Sequence, residues 1–214
     1  MKVNVPQNIN DITLGQFQEL LKLSVSIKDP FDLNCAKIAL FTKLTTYEAR
    51  QINDGDFNLL VSKIDTALRT DGDFKTQFLI RKKTFGFIPN FDEISAGENA
   101  NLQDYTRKLT NVSTENLEVC AESFSDMHKI MAILYRPVTN RDAFGNYKIE
   151  AYRGTKYYAE TMKETPLSYV KGALGFFLSL FNDLESYILK SMKEAIQKEE
   201  LQLIISRNLD GTLP

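Results

Sequence analysis

Residues 74–89 read FKTQFLIRKKTFGFIP, from Phe74 through Gly86 to Pro89. Apolar and aromatic residues alternate here with polar ones at the period of an extended chain, so the stretch predicts one or two short strands with Gly86 at a bend. The residues on either side of it follow a helical period. The fold class expected is mainly α, a multi-helix bundle with a small β-hairpin or short strands in the middle.

Working back from this stretch, Asp56 opens a helix that carries Phe57, Leu60, Val61, Ile64 and Leu68 three and four residues apart. Thr45-Thr46-Tyr47-Glu48 fits a capping box, in which hydroxyl and carboxylate each satisfy an exposed backbone donor, and implies a short helix to Asn53. Asp29-Pro30 marks another start, since proline suits a first helical turn. The helix behind it carries Phe31, Leu33, Ala36, Ile38, Ala39, Leu40 and Phe41, a pattern crowded enough for extensive burial. Thr13 caps a first helix from Leu14, with Phe17, Leu20 and Leu21 on its buried side.

Working forward, Ser95-Ala96-Gly97-Glu98 repeats the capping-box pattern and begins a helix with Leu102, Tyr105 and Leu109. A start near Ser113 or Thr114 leads into one long periodic stretch, Leu117, Cys120, Ala121, Phe124, Met127, Ile130, Met131 and Leu134. Arg136-Pro137 ends it, because the residue before proline avoids helical geometry. Residues 138–153 are the most loop-like, with a short extended piece from Tyr147 to Tyr152. Helices restart near Thr155 and at Thr165-Pro166, the last running to about Ser206 with Ile188, Leu189, Met192 and Ile196 still at helical spacing. The apolar run within Leu167–Phe181 contains Lys171 and is shorter than the roughly 20 residues of a membrane span, so it reads as a buried helix. Gly172 and Gly175 inside it suit helix packing through small residues better than phosphate binding. Two parts are expected: an N-terminal helical subdomain, 1–72, and a helical domain with short strands and a long C-terminal helix, 73–214.

The 214 residues, 43% of them hydrophobic, supply a real core, and 26 Lys plus Arg against 28 Asp plus Glu leave no overall field to attract nucleic acid or an anionic membrane. Cys35 and Cys120 lie far apart with no CxxC spacing, which makes them reduced residues within helices. The opening MKVNVPQNINDITL has neither the apolar stretch of a signal peptide nor the Arg-rich character of a transit peptide.

Chemistry is sparse. His128 is the sole histidine, and it stands in a helical stretch with no nucleophile or orienting carboxylate identifiable beside it. Carboxylates such as Glu194, Glu199 and Glu200 are scattered along a helix among Lys190, Lys193 and Lys198. Phosphate-loop, dinucleotide, serine-hydrolase and zinc-protease motifs do not occur. Arg81-Lys82-Lys83, followed by Phe85 and Phe87, has the elements of a nucleic-acid contact, but a solvated strand end beside core aromatics is the reading that fits an acidic chain. No catalytic residue, metal site or cofactor is expected. Phe85, Phe87, Phe91, Tyr147 and Tyr152 occupy turn-rich places, where aromatic residues either anchor a core or dominate an interface.

Two groups of motifs resemble proteins of tailed bacteriophages. Ile12-Thr13-Leu14, a helix, and then LFTKLTTYEARQINDGDFNLLVSKI over 40–64 resemble, in their order, the N-terminal part of phage tail assembly chaperones. FGFIPNFDEI over 85–94, with Gly97-Glu98 and Leu102, then MHKIMAILYRP over 127–137, Ile149-Glu150 and Tyr152-Arg153-Gly154-Thr155, resemble a family of phage morphogenesis proteins. The resemblance implies a non-enzymatic factor in virion morphogenesis that binds phage structural proteins, the tape-measure or tail-tube protein among them, through apolar grooves that receive amphipathic helices. The alternative is a virion structural protein such as a head-tail connector or capsid-associated component. It also implies the host cytoplasm, or the virion for a structural protein, as the location, with neither nucleic acid nor membrane as partner and the oligomeric state open. If both motif groups serve one partner-binding site, Phe85, Phe87, Ile88, Phe91, Tyr135 and Arg136 form one contiguous region; the alternative is that they are core residues, the reading favoured for Phe87, Ile88 and Tyr135.

Overall fold

A computed structural model describes residues 4–110, 117–177 and 179. It is mainly helical, with a small four-stranded antiparallel sheet. The chain divides into two compact units, 1–173 and 174–214, and the described residues of the second, 174–177 and 179, are helical. The boundary expected near residue 72 falls inside the first unit.

Four helices open the chain: α1 (Leu14–Ser26), α2 (Pro30–Thr42), α3 (Thr46–Arg50) and α4 (Asp54–Arg69). Their starts are set by side chains. Thr13 and Gln16 form a capping box, as do Thr45 and Glu48, and Asp29 caps α2 with Pro30 in its first turn. The cap of α4 is Asn53, whose side chain accepts from the Asp56 amide, so the helix begins before Asp56. Such caps are each worth about 1 kcal/mol, because they satisfy donors that the helix itself leaves open.

The hairpin is β1 (Gln77–Ile80) and β2 (Lys83–Phe87), with Phe78 opposite Phe85 and Ile80 opposite Lys83. Its turn is Arg81-Lys82, both at positive φ, 47° and 66°, and Gly86 lies inside the strand. Two central residues at positive φ suit the right-handed twist of a two-residue hairpin, a position that usually selects Asn-Gly. The Arg81 guanidinium is held there by a two-point pair with Glu164.

After α5 (Ala96–Thr110), the long predicted helix proves to be two, α6 (Leu117–Ser125) and α7 (Met127–Leu134), with a break at Asp126. The stretch that follows is a strand. β3 (Tyr135–Arg141) pairs with β2 and then with β4 (Tyr147–Ile149), giving the order β1-β2-β3-β4. Arg136-Pro137 does stop the helix, but it does so by starting an extended segment. Pro137 is admissible in the ladder at its place opposite Phe85, and β4 lines the far side of β3. A short helix, α8 (Ala159–Met162), precedes α9, helical from 167 to 173 within the first unit.

Long-range bonds tie the beginning of the chain to α8 and α9. Leu14 and Gly15 amides donate to Thr165 and Lys163 carbonyls at 2.9 and 2.8 Å, and Leu167 donates back to Ile12 at 2.8 Å. The Asp73 amide reaches the Ser168 carbonyl, and Lys171 Nζ caps the C-terminal end of α4 through the Leu68 and Thr70 carbonyls. Gly172 is what allows this approach: a Cβ there would stand 2.4 Å from the Asp73 and Phe74 backbone, whereas one on Gly175 meets nothing within 4 Å. Among the described residues, small-residue packing is seen at Gly172. The core joins α1, α2 and α4 through Leu14, Ile38 and Ile64 to α7 through Ile130, Met131, Ile133 and Leu134, all almost wholly buried.

The predicted helix start at Ser113 or Thr114, the side chains of Leu109, Leu117 and Cys120, and the C-terminal helix with Ile188, Leu189, Met192 and Ile196 lie outside the described residues. Among the described residues no helix is long and apolar enough to cross a membrane.

Candidate functional site

The seam between β2 and β3 is three pairs long: Phe85 with Pro137, Gly86 with Arg136, and Phe87 with Tyr135. It joins the two motif groups, and the amide of Ile88 continues it to the Leu134 carbonyl at 2.9 Å. Phe85, Phe87, Ile88, Phe91, Tyr135 and Arg136 are therefore brought into one region. All are buried except Phe91, which is half-buried. Phe87 sits edge-on to Tyr135, Phe74 and Phe91 with ring centres 5.1, 5.1 and 5.7 Å away, and Phe78 lies 4.6 Å from Tyr135. The Tyr135 hydroxyl donates to the Lys75 carbonyl at 2.7 Å, and burial raises its pKa. This is an interior aromatic layer, shielded from any macromolecular partner in this conformation.

The opposite side of the seam is equally filled. The Tyr147 ring lies over Gly86, where a Cβ would come within 2.5 Å of it, and its hydroxyl donates to the Phe87 carbonyl at 2.9 Å. Glycine in mid-strand is the mark of such a close approach. Beside it, Arg136 Nη1 stands 2.7 Å from Glu98 Oε1, with the two side chains 9% and 5% exposed. Among the described residues, neither Glu98 Oε1 nor Arg136 Nε has a hydrogen-bond partner. The other oxygen, Oε2, accepts from the Ser95 amide and hydroxyl at 2.9 and 3.0 Å, and the Tyr152 ring lies 5.9 Å from the Arg136 guanidinium. The capping box seen in the sequence is thus also one half of a buried ion pair.

His128 is nearly buried, with Nδ1 at 3.1 Å from Gln18 Nε2, which also donates to the Phe124 and Ser125 carbonyls. Burial lowers its pKa, and nearby Lys163 lowers it further. The Gln18 side chain, through the Phe124 and Ser125 carbonyls and its contact with His128, ties α1 to the break between α6 and α7. The Cys35 thiol is buried and its pKa is pushed up, chiefly by that burial.

Concave surface lies elsewhere. A cleft of about 670 Å³ is lined by residues 82–84 and 137–141, where the two hairpins part. A second groove, about 350 Å³, lies where α2 meets the start of α4 and is lined by Pro30, Phe31, Asn34, Ile52, Phe57 and neighbouring polar residues. Phe31 is 47% exposed, stacked on Phe57 at 5.4 Å and covered on one side by the Arg50 guanidinium at 5.4 Å. Sequence reasoning placed Phe31 among buried residues, although its position one residue after Pro30, in the first turn, is where a helix has no preceding turn to cover it. No family model matches the chain, and no curated protein or solved structure matches it.

Proposed function

We propose that this chain is a protein-binding assembly factor that takes an amphipathic helix of a partner into the groove between α2 and α4. The phage resemblance of residues 40–64, which form one wall of that groove, supplies the setting: virion morphogenesis in the host cytoplasm, with the tape-measure or tail-tube protein as the partner and no catalytic step. The helices α1, α2, α4 and α6 act as a bundle whose outer face carries the groove.

The observation that carries this reading is Phe31. Its ring is half-exposed yet held by Phe57 and Arg50, so it is already ordered before a partner arrives. Pre-ordered aromatics in apolar grooves are where binding energy concentrates, because little side-chain entropy remains to be lost. Asp29, Asp54 and Asp56 at the starts of α2 and α4 are exposed around it. They favour a helix with Lys or Arg flanking its apolar stripe.

Co-expression with the tail-tube and tape-measure proteins of the same phage, followed by affinity capture, tests the proposal. Wild-type protein retains one of them and Phe31→Asp loses it while keeping the wild-type urea midpoint. Equal capture by both proteins, or capture of neither tail protein by the wild type, overturns it.

A further inference from the structure

The cleft between the hairpins has features that the groove at Phe31 does not share. Each hairpin stays paired to its end: Leu79 with Thr84 and Ile80 with Lys83 in one, Asn140 with Lys148 and Arg141 with Tyr147 in the other. The seam between them stops at Phe85 opposite Pro137. A register shift between Val138 and Asn140 accompanies the parting, and such an irregularity bends a strand away from its neighbour. Lys83-Thr84 and Val138–Arg141 therefore face each other across a cleft, and the main-chain groups of Thr84 and Val138, on the side of the strands that the seam uses at Gly86 and Arg136, lie beyond its last pair.

The charge in the cleft is of one sign. Lys82, Lys83 and Arg141 line it, and no carboxylate does. Three acids beside it are engaged elsewhere: Glu164 with Arg81, Glu150 with Tyr158 and Arg153, and Asp142 with the amides of Phe144 and Asn146 in its own turn. Lys83 Nζ lies 5.9 Å from the Tyr158 ring, and Arg141 donates to Gln77 Oε1 at 2.5 Å, so both side chains are ordered at the margins of the cleft. In a chain of net charge −2, this is a local positive site.

We infer that the fork between the β1–β2 and β3–β4 hairpins binds an extended acidic peptide segment of a partner protein, which adds as a strand at the open main-chain groups of Thr84 and Val138. Unpaired strand edges select an extended polypeptide backbone, because its amides and carbonyls complete the ladder. Side chains of such a segment meet Lys83 on one face and Arg141 on the other, and both are best matched by Glu or Asp. A nucleic acid would use the same charges and leave the strand edges unpaired, so the peptide is the occupant that uses both features.

Fluorescence polarisation with a labelled alternating Glu-Thr decapeptide tests this on the full chain. Three controls separate the contributions: a Gln-Thr peptide removes the charge, a Glu-Pro peptide keeps it and removes the main-chain donors, and an oligouridylate offers phosphates alone. The Glu-Thr peptide binds, added salt weakens it, and both control peptides bind less tightly. Lys83→Gln with Arg141→Gln lowers its affinity by about tenfold, or about 1.4 kcal/mol, at an unchanged urea midpoint. Equal binding of the Glu-Pro peptide, tighter binding of the oligouridylate, no binding by the wild type, or full affinity in the double variant overturns the inference. Phe31→Asp binds the peptide as the wild type does, so failure here and failure of the α2–α4 groove are told apart.

Discussion

Replacing Arg136 by methionine isolates the buried ion pair at the seam. Both side chains are almost fully withdrawn from water, and the pair lies in a region filled by Tyr147, Tyr152 and α5. Methionine has comparable reach and can lie under the Tyr152 ring, so little volume is lost. What changes is that the Glu98 carboxylate, still bound to Ser95 through Oε2, loses its counter-charge. Removing one partner of a buried pair costs about 3–5 kcal/mol, against a total stability of about 5–15 kcal/mol for a typical domain. A chain of this size loses about 2–4 °C of melting temperature per kcal/mol, so a fall of about 6–20 °C is expected. Adding Glu98→Gln removes the stranded charge while keeping an oxygen for Ser95, and restores at least about 2 kcal/mol of the loss. Urea unfolding read by far-UV circular dichroism and tyrosine fluorescence measures both variants, the chain having no tryptophan. A loss under about 1 kcal/mol for Arg136→Met, the size expected of a surface pair, refutes the reasoning. So does a double variant no more stable than the single one.

Further outcomes follow from single positions. Lys82→Gly relieves a positive-φ lysine in the β1–β2 turn and raises the urea midpoint by about 1 kcal/mol of stability; no gain means the turn is not strained. Gly172→Ala forces a methyl into the Asp73-Phe74 backbone and costs about 2–3 kcal/mol in urea unfolding; a loss under about 0.5 kcal/mol counts against the close approach. For His128, whose pKa is lowered in the fold chiefly by burial, the unfolded chain takes up a proton below about pH 6.5 that the folded chain resists. Stability from this group is therefore full above that pH and falls as the solution is acidified, until the folded-state pKa is reached. Urea midpoints over that range fall in the wild type and fall less in His128→Gln, and identical slopes in the two proteins contradict the assignment.

Local signals proved reliable where the physics is local. Thr13, Thr45, Ser95 and Asp29 start helices as their side chains predict, because a cap needs only residues within one turn of it. The hairpin could be read from alternation, but its turn could not. Arg81-Lys82 carries none of the usual turn residues, and its conformation is supported by Glu164, 83 residues away. The same limit hid β3. Arg136-Pro137 was correctly a helix stop, yet nothing nearby says that the chain continues as a strand, since its partner residues are Phe85 to Phe87. Glu98 showed its capping role and concealed its ion pair for the same reason.

The aromatic residues of the two motif groups are the core layer of the seam. Phe85, Phe87, Ile88 and Tyr135 stood out in sequence because they belong to the two motif groups, and they come together because a three-pair seam holding two hairpins together needs a dense apolar layer beneath it. Truncating any of them opens a cavity costing about 3–5 kcal/mol for a phenylalanine, and Arg136 is no safer. A lost interaction after such a change measures unfolding as much as recognition. Residues that can report on binding are those whose removal leaves the seam intact. Phe31 rests on Phe57 at the edge of one groove, and Lys83 and Arg141 project from strands beyond the last seam pair. The seam therefore has two consequences for function: it fixes where the hairpins are joined, and by ending at Phe85 and Pro137 it fixes where they are free to accept another strand.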